Sequence, residues 1–300
     1  MKCSNCKYEI PDGSKFCMHC GHRIEENNGE KHCSNPQCGK VIPTDSKFCP
    51  FCGTEVSSTS AENSVQDKLT FEVNGVSFNM IRVEGGTFTM GATPEKYYRG
   101  VKDTRAHQVT LSSYYIGETP VTQALWKFVM GDNPSHFKGD SLPVETVYWD
   151  DCHDFIQKLN NKTGKSFRLP TEAEWEFAAR GGNKSRHTQY SGSDNIDEVA
   201  WYDENSEYRT HPVKTKKGNE LGIHDMSGNV YEWCEDRFRK YNGEAQTNPT
   251  GPMSGNLRVG RGGCWGSPAK SCRVPLRTAM PPISHGLSYE AFGLRLALSE

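Results

Sequence analysis

Residues 168–182 read RLPTEAEWEFAARGG. Thr171 stands three residues before Glu174, the spacing at which a hydroxyl and a carboxylate satisfy two of the free backbone N–H groups that open a helix. Gly181 closes the segment. The string predicts a short helix with both ends fixed. Two more helices lie upstream. Thr122 caps a segment that runs through Met130, and residues 149–161 place Cys152, Phe155, Ile156 and Leu159 on one face. Before them, LTFEVNGVSFNMIRV (69–83) alternates apolar and polar residues about Asn74-Gly75, a hairpin signal. HQVTLSSYYIG (107–117) reads as a strand. Residues 182–260 are mostly turns and short strands, and FGLRLAL (292–298) ends the chain as a strand.

The bulk numbers fit a loop-rich globular protein rather than a helical bundle: 300 residues, 34% hydrophobic, with 29 Gly and 16 Pro. A net charge of −2 gives no overall pull toward nucleic acid or anionic lipid. No apolar run of about 18 residues is present to span a membrane. The first residues, MKCSNCKYEI, lack the apolar core of a secretory signal, so a cytoplasmic location is expected.

Of the 12 cysteines, eight fall before residue 53, in two copies of one pattern. Cys3, Cys6, Cys17 and Cys20 form the first set. Cys33, Cys38, Cys49 and Cys52 form the second. Each set follows the shared core Ile-Pro, turn, Ser-Lys-Phe-Cys. Two short cysteine pairs on tight turns present four thiolates to one tetrahedral zinc ion, with Zn–S near about 2.3 Å. A unit this small cannot bury a sufficient core, so the metal supplies folding energy. A disulfide framework is the alternative and needs an oxidising compartment. The segments divide as ribbon 1 (1–25), ribbon 2 (30–56), a polar linker (57–68) and a body (69–300). The head resembles the double zinc ribbon at the front of many prokaryotic multidomain proteins. Two structural zinc ions follow from that resemblance, and ribbons of this kind often mediate contacts.

The body resembles the formylglycine-generating enzyme (sulfatase-modifying factor) family. PVTQALWKFVMG, PVETVYWDDCHDFIQKLN, RLPTEAEWEFAARGG, HPVKTKKGNELGIHDMSGNVYEWC, VGRGG and FGLRLAL carry the resemblance, in that order. It implies an α+β, C-type-lectin-like fold with much irregular structure. Family enzymes oxidise a cysteine of a client sulfatase to formylglycine, with O2 and Cu(I) held by two cysteines. The equivalent positions here are Ser267 and Cys272. A hydroxyl is a hard, weak ligand and does not replace a thiolate for Cu(I). Cys264 comes three residues too early for the same geometry. Copper and the oxidase activity are therefore not expected. Many bacterial relatives carry cysteines at the positions of Cys234 and Cys272; the resemblance leaves open whether the two meet, as thiols in a reducing compartment or as a bridge in an oxidising one. Arg261, Arg273 and Arg277 are expected to pair with acids such as Glu232 or Asp236.

The resemblance also implies calcium at Asp225 and Glu232 with the carbonyls of Gly228 and Val230, an oxygen-rich set of the kind calcium takes. The basic run RTHPVKTKKGN (209–219) reads as a solvated loop rather than a nucleic-acid contact. Some relatives are variable proteins of diversity-generating retroelements. They diversify the interval between the Gly-Gly string and the last Gly-x-Arg strand. Here that interval offers Trp265, Ser267, Lys270, His285, Leu287 and Tyr289 as a ligand-binding surface. The expected function is a non-catalytic binding or adaptor protein: a protein or other macromolecule binds the C-terminal loops, and the ribbons contact a second partner. The competing reading is a copper-dependent oxidase acting on protein cysteine.

Overall fold

The computed structural model describes residues 31–33, 35, 37–43, 46, 48–54, 66–92, 105–282 and 291–300. The chain forms two compact units, Met1–Val65 and Gln66–Glu300. Among the described residues no helix is long and apolar enough to cross a membrane.

The described part of the first unit is the second ribbon. Strands β1 (Lys31–His32) and β2 (Val41–Ile42) pair antiparallel. One cysteine turn is closed by Cys38 N–H and Gly39 N–H donating to the Asn35 carbonyl. The other is closed by Gly53 N–H donating to the Cys49 carbonyl at 2.9 Å. The buried apolar set is Cys33, Ile42 and Cys49, with Cys38 packed against it. Cys3, Cys6, Cys17 and Cys20 lie outside the described residues.

The described residues of the second unit form three sheets. In the first, β3 (Lys68–Val73) and β4 (Val76–Val83) form the expected hairpin. Asn74 and Gly75 have φ of 50° and 79°. Positive φ at both central residues is what a type I′ turn needs, and Asn-Gly supplies it at least strain. The sheet continues through β7 (Tyr114–Gly117) to β13 (Ala297–Ser299). The second sheet is β5 (Gly86–Met90), β6 (His107–Leu111) and β9 (Gln246–Thr247). The third runs β11-β10-β8-β12, from β8 (Tyr231–Arg237), β10 (Arg258–Arg261), β11 (Arg277–Met280) and β12 (Phe292–Leu294). The expected strand at 107–117 is thus two strands in two sheets, broken at Ser112-Ser113. FGLRLAL is likewise split: β12 runs parallel to β8, while β13 pairs antiparallel with β7. The break falls at Arg295, whose side chain turns inward.

Three helices stand where expected: α1 (Gln123–Met130), α2 (Trp149–Thr163) and α3 (Glu172–Ala179), with a short α4 (Ile196–Val199). Thr122 caps α1 through its hydroxyl, which accepts from Leu125 N–H at 3.4 Å. The α2 face of Cys152, Phe155, Ile156 and Leu159 is buried, and Phe155 stacks on Trp126 with ring centroids 4.9 Å apart. Phe155, Ile156 and Leu159 each contribute about 1.5–3 kcal/mol by leaving water. The α3 capping box forms as expected, and Glu174 also holds Arg168 through two 2.7 Å bonds. All eight residues of α3 are buried, its three glutamates included.

Candidate functional site

Residues 262–273 form a tight loop after β10. Gly262 and Gly263 both have positive φ, at 94° and 76°. A Cβ on Gly263 would lie 2.7 Å from Cys272 Sγ, so only glycine lets the two ends of the loop close. Ser267 is 5% exposed. Its hydroxyl accepts from Cys264 N–H at 3.0 Å, lies 3.2 Å from Cys264 Sγ and donates to the Tyr231 hydroxyl at 3.2 Å. Cys272 is fully buried beside Tyr190, Ile196 and Tyr202. Burial pushes the Cys264 and Cys272 thiols up, and the Tyr231 hydroxyl to about 12. Buried thiols that hold their protons are poor ligands and poor nucleophiles. The hydroxyl of Ser267 is thus engaged with Cys264 and Tyr231.

Of the residues expected to form a ligand surface, Lys270 is exposed and Trp265 half-buried, its ring set edge-on to Phe137 with centroids 5.5 Å apart. Ser267 departs from the expectation: it lies inside the loop, because its hydroxyl is the loop's internal hydrogen-bond centre. His285, Leu287 and Tyr289 lie outside the described residues. Loop 203–206 is tied beneath Trp265 and Ser267. Ser206 Oγ donates to the Trp265 carbonyl at 2.6 Å, and Asp203 N–H donates to the Ser267 carbonyl at 3.1 Å.

The residues named for calcium carry protein partners. Glu232 Oε1 accepts from Arg295 Nη2 at 2.7 Å; Glu232 Oε2 accepts from Arg295 Nε at 2.9 Å and Trp175 Nε1 at 2.7 Å. Asp225 Oδ2 accepts from Lys214 N–H at 2.7 Å, and Oδ1 from Asn229 Nδ2 at 3.4 Å. All four carboxylate oxygens accept hydrogen bonds from the protein, Glu232 stands in a buried ion pair with Arg295, and Gly228 N–H donates to the Gly262 carbonyl.

The arginine partners also differ from expectation. Arg261 is fully buried against Glu176 and Glu172, both from α3. Arg277 pairs with Glu172, and Arg180 with Glu176. Glu232 belongs to Arg295. Burial and the charge of Glu172 push Asp236 up to about 8, while Glu172 N–H donates to its Oδ2 at 2.8 Å. Sequence reading missed α3 as the source of acids because carboxylates on a short helix read as a solvated face. Cys234 packs in a different cluster from Cys272, and both are free thiols. The basic loop is held by the body. Lys214 pairs with Glu118, Lys216 lies 4.1 Å above the Trp201 ring, and Lys217 reaches Glu198 at 3.6 Å.

In the second ribbon Cys33, Cys38, Cys49 and Cys52 bring four sulfurs within 4.8 Å of one another. This is the only such His/Cys/Asp/Glu group among the described residues. Cys33 and Cys52 are 3.5 Å apart, and Cys38 and Cys49 3.8 Å. A tetrahedron with arms of about 2.3 Å has an edge of about 3.8 Å, close to both of these spacings, so the cysteine set suits zinc.

The comparisons agree with both halves of this geometry. The sulfatase-modifying factor enzyme 1-like domain family matches residues 69–299, and the double zinc ribbon matches 3–53. The chain is 36% identical to a protein of Paenibacillus barcinonensis named Chaperone protein LppX, over 66% of this chain and 82% of that one. It is 30% identical to the Formylglycine-generating enzyme of Streptomyces coelicolor, over 68% of this chain and 85% of that one. Among solved structures, Treponema denticola variable protein 1 superposes with a TM-score of 0.71 at 34% identity, covering 78% of this chain and all of that one. With that match across the whole body, the chain belongs to the sulfatase-modifying factor enzyme 1-like domain family, and a double zinc ribbon precedes the family domain.

Proposed function

We propose that this protein is a non-catalytic binding adaptor. The body presents a macromolecular ligand with the loops around Trp265, Lys270, His285, Leu287 and Tyr289, and the two ribbons, each with one structural zinc ion, contact a second partner. One observation carries the reading: Ser267, which the family resemblance aligns with a copper-binding cysteine, presents a buried, hydrogen-bonded hydroxyl rather than a thiolate. The likeness to a variable protein and to a relative named as a chaperone supports it, since neither name denotes an oxidase. A lectin-like frame with irregular loops suits display, because loops tolerate change while the sheets and helices beneath them stay fixed. The basic loop 209–219 offers little for nucleic acid, since its lysines are already engaged by the body.

The test replaces Lys270, Leu287 and Tyr289 together with serine and leaves the buried Ser267 alone. Wild type and variant are compared for ligand capture and melting temperature. Capture lost at an unchanged melting temperature is the expected result, since surface changes cost within about 0.5 kcal/mol. Capture that persists, or a collapsed melting temperature, overturns the display reading.

A further inference from the structure

The cysteines of this chain are not equally placed for chemistry. Cys152, Cys234, Cys264 and Cys272 of the body are all buried. In the second ribbon the four clustered sulfurs differ in cover. Cys33 and Cys49 are 6% and 2% exposed, Cys38 is half-buried, and Cys52 is open to solvent. The shorter of the two measured sulfur pairs, at 3.5 Å, joins the exposed Cys52 to the buried Cys33. Thr54 Oγ1 lies 3.3 Å from Cys52 Sγ and accepts from it. Among the described residues, the ribbon core holds only Ile42 beyond its cysteines.

We infer that Cys52 and Cys33 form an oxidation site through which hydroperoxides open the second ribbon. The inference rests on the zinc reading of the head. The Cys52 thiolate attacks the O–O bond of the hydroperoxide; an S–O bond forms, the O–O bond breaks, and hydroxide (or alkoxide) leaves and takes a proton. Cys33, 3.5 Å away, then attacks the oxidised sulfur. The S–S bond forms, the S–O bond breaks, and hydroxide leaves and is protonated to water. Two thiolates lose two electrons in total, and one hydroperoxide gains them. Cys38 and Cys49 remain, and two thiolates hold zinc far more weakly than four. With almost no core of its own, the ribbon then unfolds. The body keeps its structure because its thiols are covered. Reduction and fresh zinc reverse the change. The adaptor would thereby lose its ribbon contact under oxidant and keep its ligand face.

The experiment uses the full chain loaded with zinc. Zinc is counted first, then hydrogen peroxide is added, metal release is followed with a chromogenic chelator, and disulfides are mapped by mass spectrometry. The expected first bridge within residues 33–52 is Cys33–Cys52, formed together with zinc loss and reversed by dithiothreitol plus zinc. Separately, iodoacetamide without oxidant should modify Cys52 at least tenfold faster than Cys33 or Cys49. A first bridge between Cys38 and Cys49, equal alkylation of all four sulfurs, or intact thiols after peroxide overturns the inference. A protein that holds no zinc before oxidant overturns the ribbon reading itself, so the two failures are distinguishable.

Discussion

The second ribbon and the body bury polar sulfur and charge in opposite ways. Among the described residues of the ribbon, three cysteines and Ile42 make up the interior, and the four sulfurs lie within 4.8 Å of one another. In the body, four cysteines are scattered through the interior as small apolar side chains, and the charged groups meet in pairs: Arg261 with Glu176 and Glu172, Arg277 with Glu172, Arg295 with Glu232. Size explains the difference. A unit of about 25 residues has too little apolar surface to offset chain entropy and borrows binding energy from a metal. The body has clusters built on Trp126, Phe155, Trp175 and Trp233, and so tolerates buried ion pairs that fix geometry rather than add much stability.

The sharpest way to break this contrast is to remove one sulfur. Cys49→Ser in the full chain should leave the protein with one zinc ion fewer and unfold the second ribbon. The body's calorimetric transition should not move. Elemental analysis with differential scanning calorimetry reads both. A shift of the body transition would show that the two units are not independent in stability.

The second effect belongs to the body. Glu176→Ala leaves Arg261 buried with a lost partner and should destabilise the body by about 3–5 kcal/mol, because an uncompensated buried charge is costly. Urea unfolding of the full chain checks it, with zinc content unchanged. A loss under about 1 kcal/mol would mean that Glu172 alone holds Arg261.

A smaller effect follows from Asp236. Its folded-state pKa, about 8, lies above the value of about 3.9 usual for an unfolded chain, so the folded protein holds the proton longer. Its contribution is complete below about pH 4 and is lost as pH rises from there through about 8. Asp236→Asn keeps an oxygen for Glu172 N–H and has no charge to desolvate. Its body should unfold at higher urea than wild type at pH 8.5, by 1 kcal/mol or more, with the gap closing toward pH 4. Parallel curves at all pH values would place the ionisation elsewhere.

Local signals made much of the fold legible. Asn74-Gly75 gave the hairpin, Thr122 and the Thr171/Glu174 box gave two helix starts, and the 152–159 face gave a third helix. What was not legible depends on distant pairings. Nothing near Ser112 indicates that 107–117 divides between two sheets, or that Arg295 splits the terminal strand. Each is set by partners across the fold: Thr87 and Gly86 for β6, and Glu232 for Arg295. The ion pairs failed in the same way. Glu232 was expected to pair with an arginine of the 261–277 segment, but its partner is Arg295, 63 residues beyond it. The buried place of Ser267 follows from Tyr231 and from the turn of the Gly262-Gly263 loop, which sequence spacing does not reveal.

The central claim is that the body binds rather than oxidises, and mass spectrometry of a single peptide tests it most directly. A peptide containing the C-x-P-x-R sequence is incubated with the full chain, Cu(I) and O2, and the cysteine is followed for conversion to formylglycine. No conversion is expected, because the residue that the family resemblance aligns with the first copper-binding cysteine is Ser267, and Cys272 is buried. Conversion that is abolished by Cys272→Ser would contradict it.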